Sequence, residues 1–503
     1  MNPRLRLWLV GTLGATLAVI VAFGIAQEIY VLSAVLTALI LWLLLEWISG
    51  PRPEAWALAV ALAGYVLCNR GFAQLSLSPK LPLLPAEMAL LAGVAATILR
   101  MARRETAAVL RDALNFTVCA WMLLGAVRLW PDTRAHGAMA LRDFATIYYA
   151  SFFFVAQALA RHAASIRLLR RALLGAFALL PLTFFLYRQF PEFFLGPLRI
   201  RGVPLFFYKD DLAAAYFFAG FFFLMTAGAW PWLWRGAAAA AGYVSAFSVS
   251  SSRAAIMGLV VASGWWAVAR RWAPWKLQVL LAPVALMGLT LLALVKDQDF
   301  RQSRAYAVYE HVVSIGDFSG TGRYSSDDRR YMGDNNRFRL AWWRSVTEEV
   351  LEGGPVLGLG FGHNLSERFV RTYELDLGEE FSARSPHSIV FTVLGRMGIA
   401  GLVAFAGIVA AMAAATWRLV QRARSDDAAL VPLGWWSVAW VMFTSGCFGV
   451  VLEGPMGAVV FWTALGMANA TTTDLLAERE SNSGAAAGGH ESAPALPSAG
   501  GSA

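Results

Sequence analysis

The chain has 503 residues, of which 58% are hydrophobic and only 15% are charged. A soluble domain needs about a quarter of its residues charged, so this composition excludes a soluble globular protein. The formal net charge is +9, yet no nucleic-acid-binding module accompanies it, and no nucleic-acid partner is expected. The composition instead predicts an all-α polytopic integral membrane protein.

Apolar runs of the length that crosses a hydrocarbon core, about 20 residues as helix, recur along the chain. They lie near 6–26, 30–49, 55–73, 83–100, 108–129, 143–161, 170–189, 211–229, 254–269, 277–295, 390–417, 430–450 and 455–471. A shorter run at 237–250 is a further candidate, and we expect an even total of 12 to 14 transmembrane helices.

The basic residues predict the orientation, because cytoplasmic loops retain Lys and Arg during insertion. Five basic clusters lie at 4–6, 100–104, 161–171, 270–276 and 418–424. With the N-terminus inside, all five fall on the cytoplasmic side, and the long polar segment falls outside, which in a bacterium is the periplasm. Four parts are therefore expected: transmembrane helices in 1–296, a large periplasmic loop at 297–386 containing helices, transmembrane helices in 387–473, and a disordered cytoplasmic tail at 474–503.

Several basic residues lie on the expected outer side, against this pattern. Arg199, Arg201 and Lys209 follow the seventh run, and Arg253 stands among serines and alanines at a helix end. A charge at membrane depth costs several kcal/mol unless it is paired or hydrated, so such residues tend to mark substrate paths. Snorkelling of Arg199 to lipid headgroups and pairing of Lys209 with a neighbouring aspartate are the alternatives. Arg253 is predicted to bind an anion.

Converging arginines suit a lipid diphosphate, because a guanidinium stays charged and its planar fork of donors matches two phosphate oxygens. The acidic residues at 327–328, 348–349, 376 and 379–380 of this loop lack the DxD-type spacing that a metal-dependent sugar transferase would usually have. No metal ion and no other cofactor is therefore expected.

The loop also contains a predicted helix that lies against the membrane. Asn335 or Asn336 is its expected cap, and 353–355, Gly-Gly-Pro, is its expected end. Its apolar positions are Leu340, Trp343, Val346 and Val350. Arg339 then shares a face with Trp343, one turn away. The glycine-rich turn at 358–362 follows and is expected to permit close approach of the backbone to a ligand.

His387 opens the next apolar helix at the expected boundary between water and membrane. It follows Pro386, which fixes the local direction of the chain. An isolated interfacial histidine is more often structural than functional. The motifs that flank His387 instead favour a functional role for it.

The segments NRFRLAWW, PVLGLGFG and SPHSIVFTVLGRMGIAGL together resemble the O-antigen ligase and polymerase superfamily of bacterial envelope glycosyltransferases. The resemblance covers about 200–405. The matching residues are Arg339, Trp343, 355–360, His387, Gly398 with Gly401, Ser252 with Arg253, and Arg201. The chain departs from many relatives at Ser388, where they have Asn, and around 207–210.

The resemblance implies a GT-C-like membrane glycosyltransferase of the bacterial inner membrane. It implies a glycan donor linked to undecaprenyl diphosphate and, for the ligases, a lipid A-core acceptor in lipopolysaccharide biosynthesis. Arg253, Arg339 and Arg201 would hold the diphosphate, His387 would accept the proton of the attacking hydroxyl, and Trp343 and Ser388 would support them. The transfer would be metal-independent and inverting, with membrane lipids around the protein.

Other functions stay open. Within the superfamily, polymerases use a second lipid-linked glycan as acceptor, and another branch uses a protein hydroxyl. A lipid-linked glycan flippase is the alternative from a different class, in which outer arginines only bind and release phosphate. A flippase has little need for a long polar loop with a histidine on one side, and the chain shows no evident internal repeat.

Overall fold

The computed structural model describes residues 50–76, 83–249, 253–295, 327–372 and 384–488 apart from 423 and 425, with positions 12, 16, 19, 42, 306, 313 and 317. The predicted helices at 6–26 and 30–49 lie almost wholly outside the described residues, as do Ser252, most of 297–326 and the tail from 489. The predicted total of spans and the predicted orientation therefore stay predictions.

Each predicted apolar run between 55 and 471 coincides with one or more helices. Those of the first half are α1 (Pro53–Cys68), α2 (Arg70–Ala73), α3 (Pro85–Ala102), α4 (Ala113–His136), α5 (Ala138–Asp143), α6 (Ala145–Tyr148), α7 (Ser151–Ala160), α8 (Ala163–Gln189) and α9 (Pro191–Leu195). A two-stranded antiparallel hairpin follows, with β1 (Arg199–Ile200) paired to β2 (Val203–Pro204).

The second half continues as helices separated by short connections and by the long polar loop. They are α10 (Asp210–Met225), α11 (Trp232–Phe247), α12 (Arg253–Val268), α13 (Ala273–Val295), α14 (Asp327–Gly353), α15 (Glu367–Thr372), α16 (Ile389–Arg422), a 3₁₀ turn (Asp427–Ala429), α17 (Leu430–Cys447) and α18 (Pro455–Gly488).

The described residues include six helices that are long and apolar enough to cross a membrane. They are Pro85–Ala102, Ala113–His136, Ala138–Ala160, Ala163–Gln189, Ile389–Arg422 and Asp427–Cys447. Two shorter apolar helices, α1 and α12, accompany them. These helices confirm the predicted class, an all-α polytopic membrane protein.

Helix α10 packs against α8, α11, α12 and α17. Its sequence is apolar on every side after its first two residues, which is typical of a helix that other helices surround. Every residue from Leu212 to Leu224 is buried. Its first two residues, Asp210 and Asp211, therefore emerge at one end of a rigidly packed element.

Helix α16 is broken at Gly398, where φ is +62° and ψ is −158°. The break removes helical partners from backbone groups on both sides, and at membrane depth such groups must be satisfied by protein. The segment 355–360 supplies these partners. The bonds are Leu359 N to Gly395 O, Gly360 N to Arg396 O, Ile399 N to Pro355 O and Ala400 N to Val356 O. We call 355–362 together with 395–400 the broken-helix junction.

Two glycines make the broken-helix junction possible. Gly358 and Gly398 both have positive φ, and a Cβ added to Gly398 would lie 2.5 Å from the Gly358 nitrogen. The sequence predicted that the 358–362 turn permits close approach of the backbone to a ligand, and this stays a prediction. Within the protein, the turn lies close to the backbone of α16 and to the side chain of Asp132, whose Oδ1 would lie 2.5 Å from a Cβ on Gly360.

Helix α14 differs from its prediction at its start and in its apolar face. It begins at Asp327, so Asn335 and Asn336 lie within the helix and neither is its cap, whereas its end at Gly353 is as predicted. The buried face contains Trp342, Val346 and Val350, which pack on Leu365, Phe369 and Val370. Leu340 is 42% exposed because the short helix α15 covers the neighbouring face instead.

The predicted disordered tail is helical in its first part, because α18 continues to Gly488. Three ion pairs hold this extension against other helix ends. They join Asp474 to Arg161 at 2.8 Å, Arg479 to Asp426 at 2.5 Å and Glu480 to Arg422 at 2.7 Å. The low apolar content of the tail concealed these charged contacts.

Replacement of Gly398 by Ala should destabilise the protein strongly. The new Cβ would collide with the backbone of Gly358, and alanine resists positive φ, so we expect a cost of at least about 2 kcal/mol. Gly264→Ala in α12 is the control, because no atom lies within 4 Å of its added Cβ. Thermal unfolding in detergent checks this, and equal midpoints for the two variants would contradict the role assigned to the junction.

Candidate functional site

His387 lies in the turn that leads into α16, two residues before the helix begins. Its backbone has φ +52°, the left-handed conformation that few residues with a Cβ adopt. Its half-buried imidazole packs on the Trp342 ring, with centroids 5.6 Å apart. The buried Ser388 follows, and its carbonyl accepts the Thr392 amide at 2.9 Å. The imidazole is therefore held at the entrance to a helix.

Trp343 braces the chain on both sides of His387. Its indole N–H donates to the Pro386 carbonyl at 2.7 Å. Its ring stacks on Phe391 in the first turn of α16, with centroids 4.8 Å apart and planes 12° apart. The structure thus places Trp343 against residues on both sides of His387.

Arg339 lies one turn before Trp343 on α14, as predicted. Its Nη1 donates to the Phe448 carbonyl at 2.7 Å, in the connection between α17 and α18. Arg253, at the start of α12, donates through Nη1 to Asn336 Oδ1 at 2.7 Å. Asn336 precedes Arg339 by three residues and shares a helix face with it. Helix α14 therefore brings the two arginines to one region.

Arg201 belongs to a different element. It lies at the turn of the β hairpin with φ +52° and an exposed side chain. Its Nη1 donates to the Ser76 carbonyl at 3.4 Å. The hairpin, and not the α12–α14 contact, positions this arginine.

Lys209 provides a positive charge just before α10. Its Nζ lies 3.2 Å from Asp211 Oδ2, so the alternative of pairing with a neighbouring aspartate is confirmed. Its backbone amide donates at 3.1 Å to Oδ1 of Asn69, a fully buried residue with φ +53°. The break between α1 and α2 thereby anchors Lys209.

Glu453 lies in the connection between α17 and α18 and forms hydrogen bonds to residues before and after His387. Its carboxylate accepts hydrogen bonds from Thr392 Oγ1, at 2.8 Å, and from the Ser385 hydroxyl. Burial raises the pKa of Glu453, and the hydrogen bonds from Ser385 and Thr392 oppose this effect.

The surroundings keep His387 neutral. Its pKa is lowered from 6.5 to about 4, first by burial and then by the positive charges of Arg339 and Lys209, while Asp211 raises it. At a pH near 7 the imidazole therefore retains a lone pair that can accept a proton. A neutral base next to two cations can serve chemistry in which a hydroxyl is deprotonated beside an anionic group.

Within the described residues, no three His, Cys, Asp or Glu side chains come together as metal ligands would. The charges that act on His387 are those of the cations Arg339 and Lys209 and of the acid Asp211. The guanidinium groups of Arg339 and Arg253, which α14 brings to one region, suit an anionic ligand near the start of α16.

Fold and site together define a class: a multi-pass, all-α membrane protein with a cationic, histidine-bearing site at the end of one of its helices. Residues 238–406 match the sequence model of the O-antigen ligase family. The matched segment contains Arg253, Arg339, Trp343 and His387, and over these residues it confirms the predicted resemblance to the O-antigen ligase superfamily. Arg201, Lys209 and Glu453 lie outside it. No curated protein matches the chain.

Sequence reasoning did not single out Glu453 as a site residue, and it left Lys209 open between a substrate path and pairing with a neighbouring aspartate. Both are ionisable residues beside apolar runs, which is itself a signal of function in membrane proteins. Glu453 stands alone in the short LEGP connection, and Lys209 precedes two aspartates. Their position relative to His387 depends on tertiary packing that the sequence does not display.

The lowered pKa of His387 predicts how stability depends on pH. The unfolded chain binds a proton at a pKa near 6.5, whereas the folded chain does so only near 4, so stability is lost as pH falls through this window. His387→Asn removes this titration, and Asn tolerates positive φ. The difference in unfolding midpoint between pH 7 and pH 4.5 should be smaller in the variant. An equal difference in both proteins would contradict the lowered pKa.

Proposed function

We propose that this protein is an O-antigen ligase, a glycosyltransferase of the bacterial inner membrane. It transfers a glycan from undecaprenyl diphosphate to a sugar hydroxyl of lipid A-core oligosaccharide, on the periplasmic side. The observation that carries the proposal is the neutral imidazole of His387 beside Arg339 and Lys209. The match of residues 238–406 to the O-antigen ligases supports the class of reaction.

The arginines hold the donor diphosphate. Arg339 and Arg253 present guanidinium forks, and Asn336 keeps both at the same stretch of α14. Charge-assisted hydrogen bonds from such forks strengthen as the diphosphate departs and gains charge. Lys209 takes the place in this proposal that the resemblance gave to Arg201, because its charge acts on His387.

His387 is the general base. Its imidazole nitrogen accepts the proton of the acceptor hydroxyl, whose oxygen forms the new bond to the anomeric carbon. The bond from that carbon to the diphosphate oxygen breaks, and undecaprenyl diphosphate leaves with the electron pair. A single displacement of this kind inverts the anomeric carbon and uses no metal ion.

Binding of the donor tunes the base. A pKa of about 4 makes His387 a weak base in the empty site, because burial and then the two cations disfavour its protonation. A diphosphate on Arg339 and Lys209 neutralises those charges and raises the pKa of His387 toward neutrality. General-base catalysis is most effective when the pKa lies near the operating pH. The base therefore becomes effective when its substrate is present.

His387→Asn should remove glycan transfer while leaving donor binding intact. Loss of a general base costs about 10²–10⁴ in rate. The loss of activity is measured as transfer from lipid-linked glycan to lipid A-core by the purified variant. Donor binding is measured as retention of the lipid diphosphate. Transfer at the wild-type rate would remove His387 from the mechanism.

Arg339→Lys keeps the positive charge and loses the planar fork. We expect transfer to fall by about 10²-fold or more, the cost of one lost donor to a developing anion. Arg344→Lys is the matched control on the same helix, because Arg344 is 79% exposed and pairs with Glu348 at 2.8 Å. Equal activity of the two variants would argue against bidentate holding of the diphosphate.

The choice of acceptor distinguishes the alternatives. Purified protein that is given lipid-linked glycan alone should not elongate the glycan. Addition of lipid A-core should yield ligated product. Elongation without lipid A-core would identify a polymerase, transfer to a protein hydroxyl would identify a protein O-oligosaccharyltransferase, and transbilayer movement without transfer would identify a flippase. A chelator should leave ligation unchanged.

A further inference from the structure

A buried ion pair joins the broken-helix junction to α5, and neither of its members is among the groups assigned to donor binding or to the base. Arg396 on α16 is 3% exposed, and its Nη2 lies 2.8 Å from Asp143 Oδ2 at the end of α5. Arg396 is seven residues beyond the start of α16, roughly 10 Å along the helix axis. A charged pair at this depth is costly, so its retention calls for an explanation.

Arg396 and Asp143 hold the glycine-rich turn from both sides. Arg396 Nη1 donates to the carbonyls of Gly360, at 3.2 Å, and of His363. Asp143 Oδ2 accepts the Gly362 amide at 3.0 Å. The ion pair therefore links three elements: the helix that begins after His387, the turn that follows α14, and the N-terminal helix α5.

A second set of polar contacts from α4 reinforces the same turn. Asp132 Oδ2 accepts the Phe361 amide at 2.7 Å. Arg128 Nη2 donates to the Gly358 carbonyl at 3.3 Å. The turn thus has charged partners on both α4 and α5, which lie in the half of the chain where the family match is absent.

We propose that Asp143 and Arg396 are positioning residues that set the orientation of His387 relative to Arg339. The half-helix 389–397 is separated from the rest of α16 at Gly398, so its direction is not fixed by helical continuity. The ion pair fixes this half-helix to α5 and to the turn at the end of α14. Because α14 carries Arg339 and Trp343, the same contact fixes the position of His387, the base, relative to Arg339, the diphosphate-binding arginine.

The energetics allow stability and positioning to be separated. Removing one member of a buried ion pair leaves an uncompensated charge, whereas replacing both by neutral groups is often tolerated. The double variant Asp143→Asn/Arg396→Met removes both charges of this pair, and the new side-chain amide oxygen at position 143 still accepts the Gly362 amide. The neighbouring Arg128–Asp132 pair stays in place. The variant removes the ion pair, the donors that Arg396 offers to the Gly360 and His363 carbonyls, and the attraction between Arg396 and Glu453.

The proposal rests on the proposed transferase function, and its test therefore includes a readout without substrate. The kcat of the double variant, measured per folded molecule, should fall about tenfold or more, because a small misplacement of a catalytic group slows the reaction. Its KM for the lipid-linked donor should stay within about twofold of the wild-type value. Carbethoxylation of His387, followed by peptide mass spectrometry without donor, should be faster than in the wild type.

The matched control is Glu54→Gln/Arg100→Met. This pair of a buried glutamate and a part-buried arginine joins α1 to α3 at 2.9 Å, and Arg100 also pairs with Glu105 at 3.2 Å. We expect the control to retain kcat and the His387 modification rate of the wild type. Unchanged kcat and unchanged modification in the Asp143/Arg396 variant, or equal losses in the control, would overturn the proposal. A wild type that transfers no glycan would instead refute the proposed function, while the modification rates would still test the positioning.

Discussion

The structure depends on one constraint: backbone groups freed by a break in a membrane helix need partners within the protein. Helix α16 is broken at Gly398, and the segment 355–360 supplies those partners. The hydrogen bonds fasten the end of α14 to α16. Since α14 carries Arg339 and α16 follows His387, the two sides of the candidate site are joined through the main chain. The described segment 355–362 is therefore packed into the helical fold.

The second organising feature is the balance of charge around His387. Burial and the cations Arg339 and Lys209 keep the imidazole neutral, while Glu453 holds Ser385 and Thr392 on either side of it. A cationic region at a helix mouth is stabilised by an anionic ligand, and the same ligand makes the neighbouring base stronger. In the proposed mechanism, donor binding and catalysis are therefore coupled through electrostatics, and no movement of the chain is required.

Hydropathy predicted the helices well. In a membrane the backbone of an apolar run has no water to bind, so the run satisfies its own hydrogen bonds by forming a helix. Hydropathy could not predict the break in α16, since the apolar pattern continues unchanged across Gly398. It also misplaced the start of α14 and the apolar face of that helix, because α15 covers Trp342 from a distant part of the loop. The charged contacts that extend α18 through 474–488 were hidden in a segment of low apolar content.

The motifs located much of the candidate site because they lie in order along α12, α14 and the start of α16. Arg253, Arg339, Trp343 and His387 meet there, while Arg201 lies on the hairpin. Lys209, Glu453, Asp143 and Arg396 join the region only through packing between halves of the chain, so spacing along the sequence could not reveal them. Their common signal is an ionisable side chain within or beside an apolar run.

The most direct measurement is the pH dependence of glycan transfer by the wild-type protein. The acid limb of kcat/KM reports the base in the free enzyme, and that of kcat reports it in the donor complex. The account predicts an apparent pKa of about 4 for kcat/KM and a distinctly higher value for kcat, because the bound diphosphate neutralises Arg339 and Lys209. Acid limbs that coincide near 6.5 would contradict it.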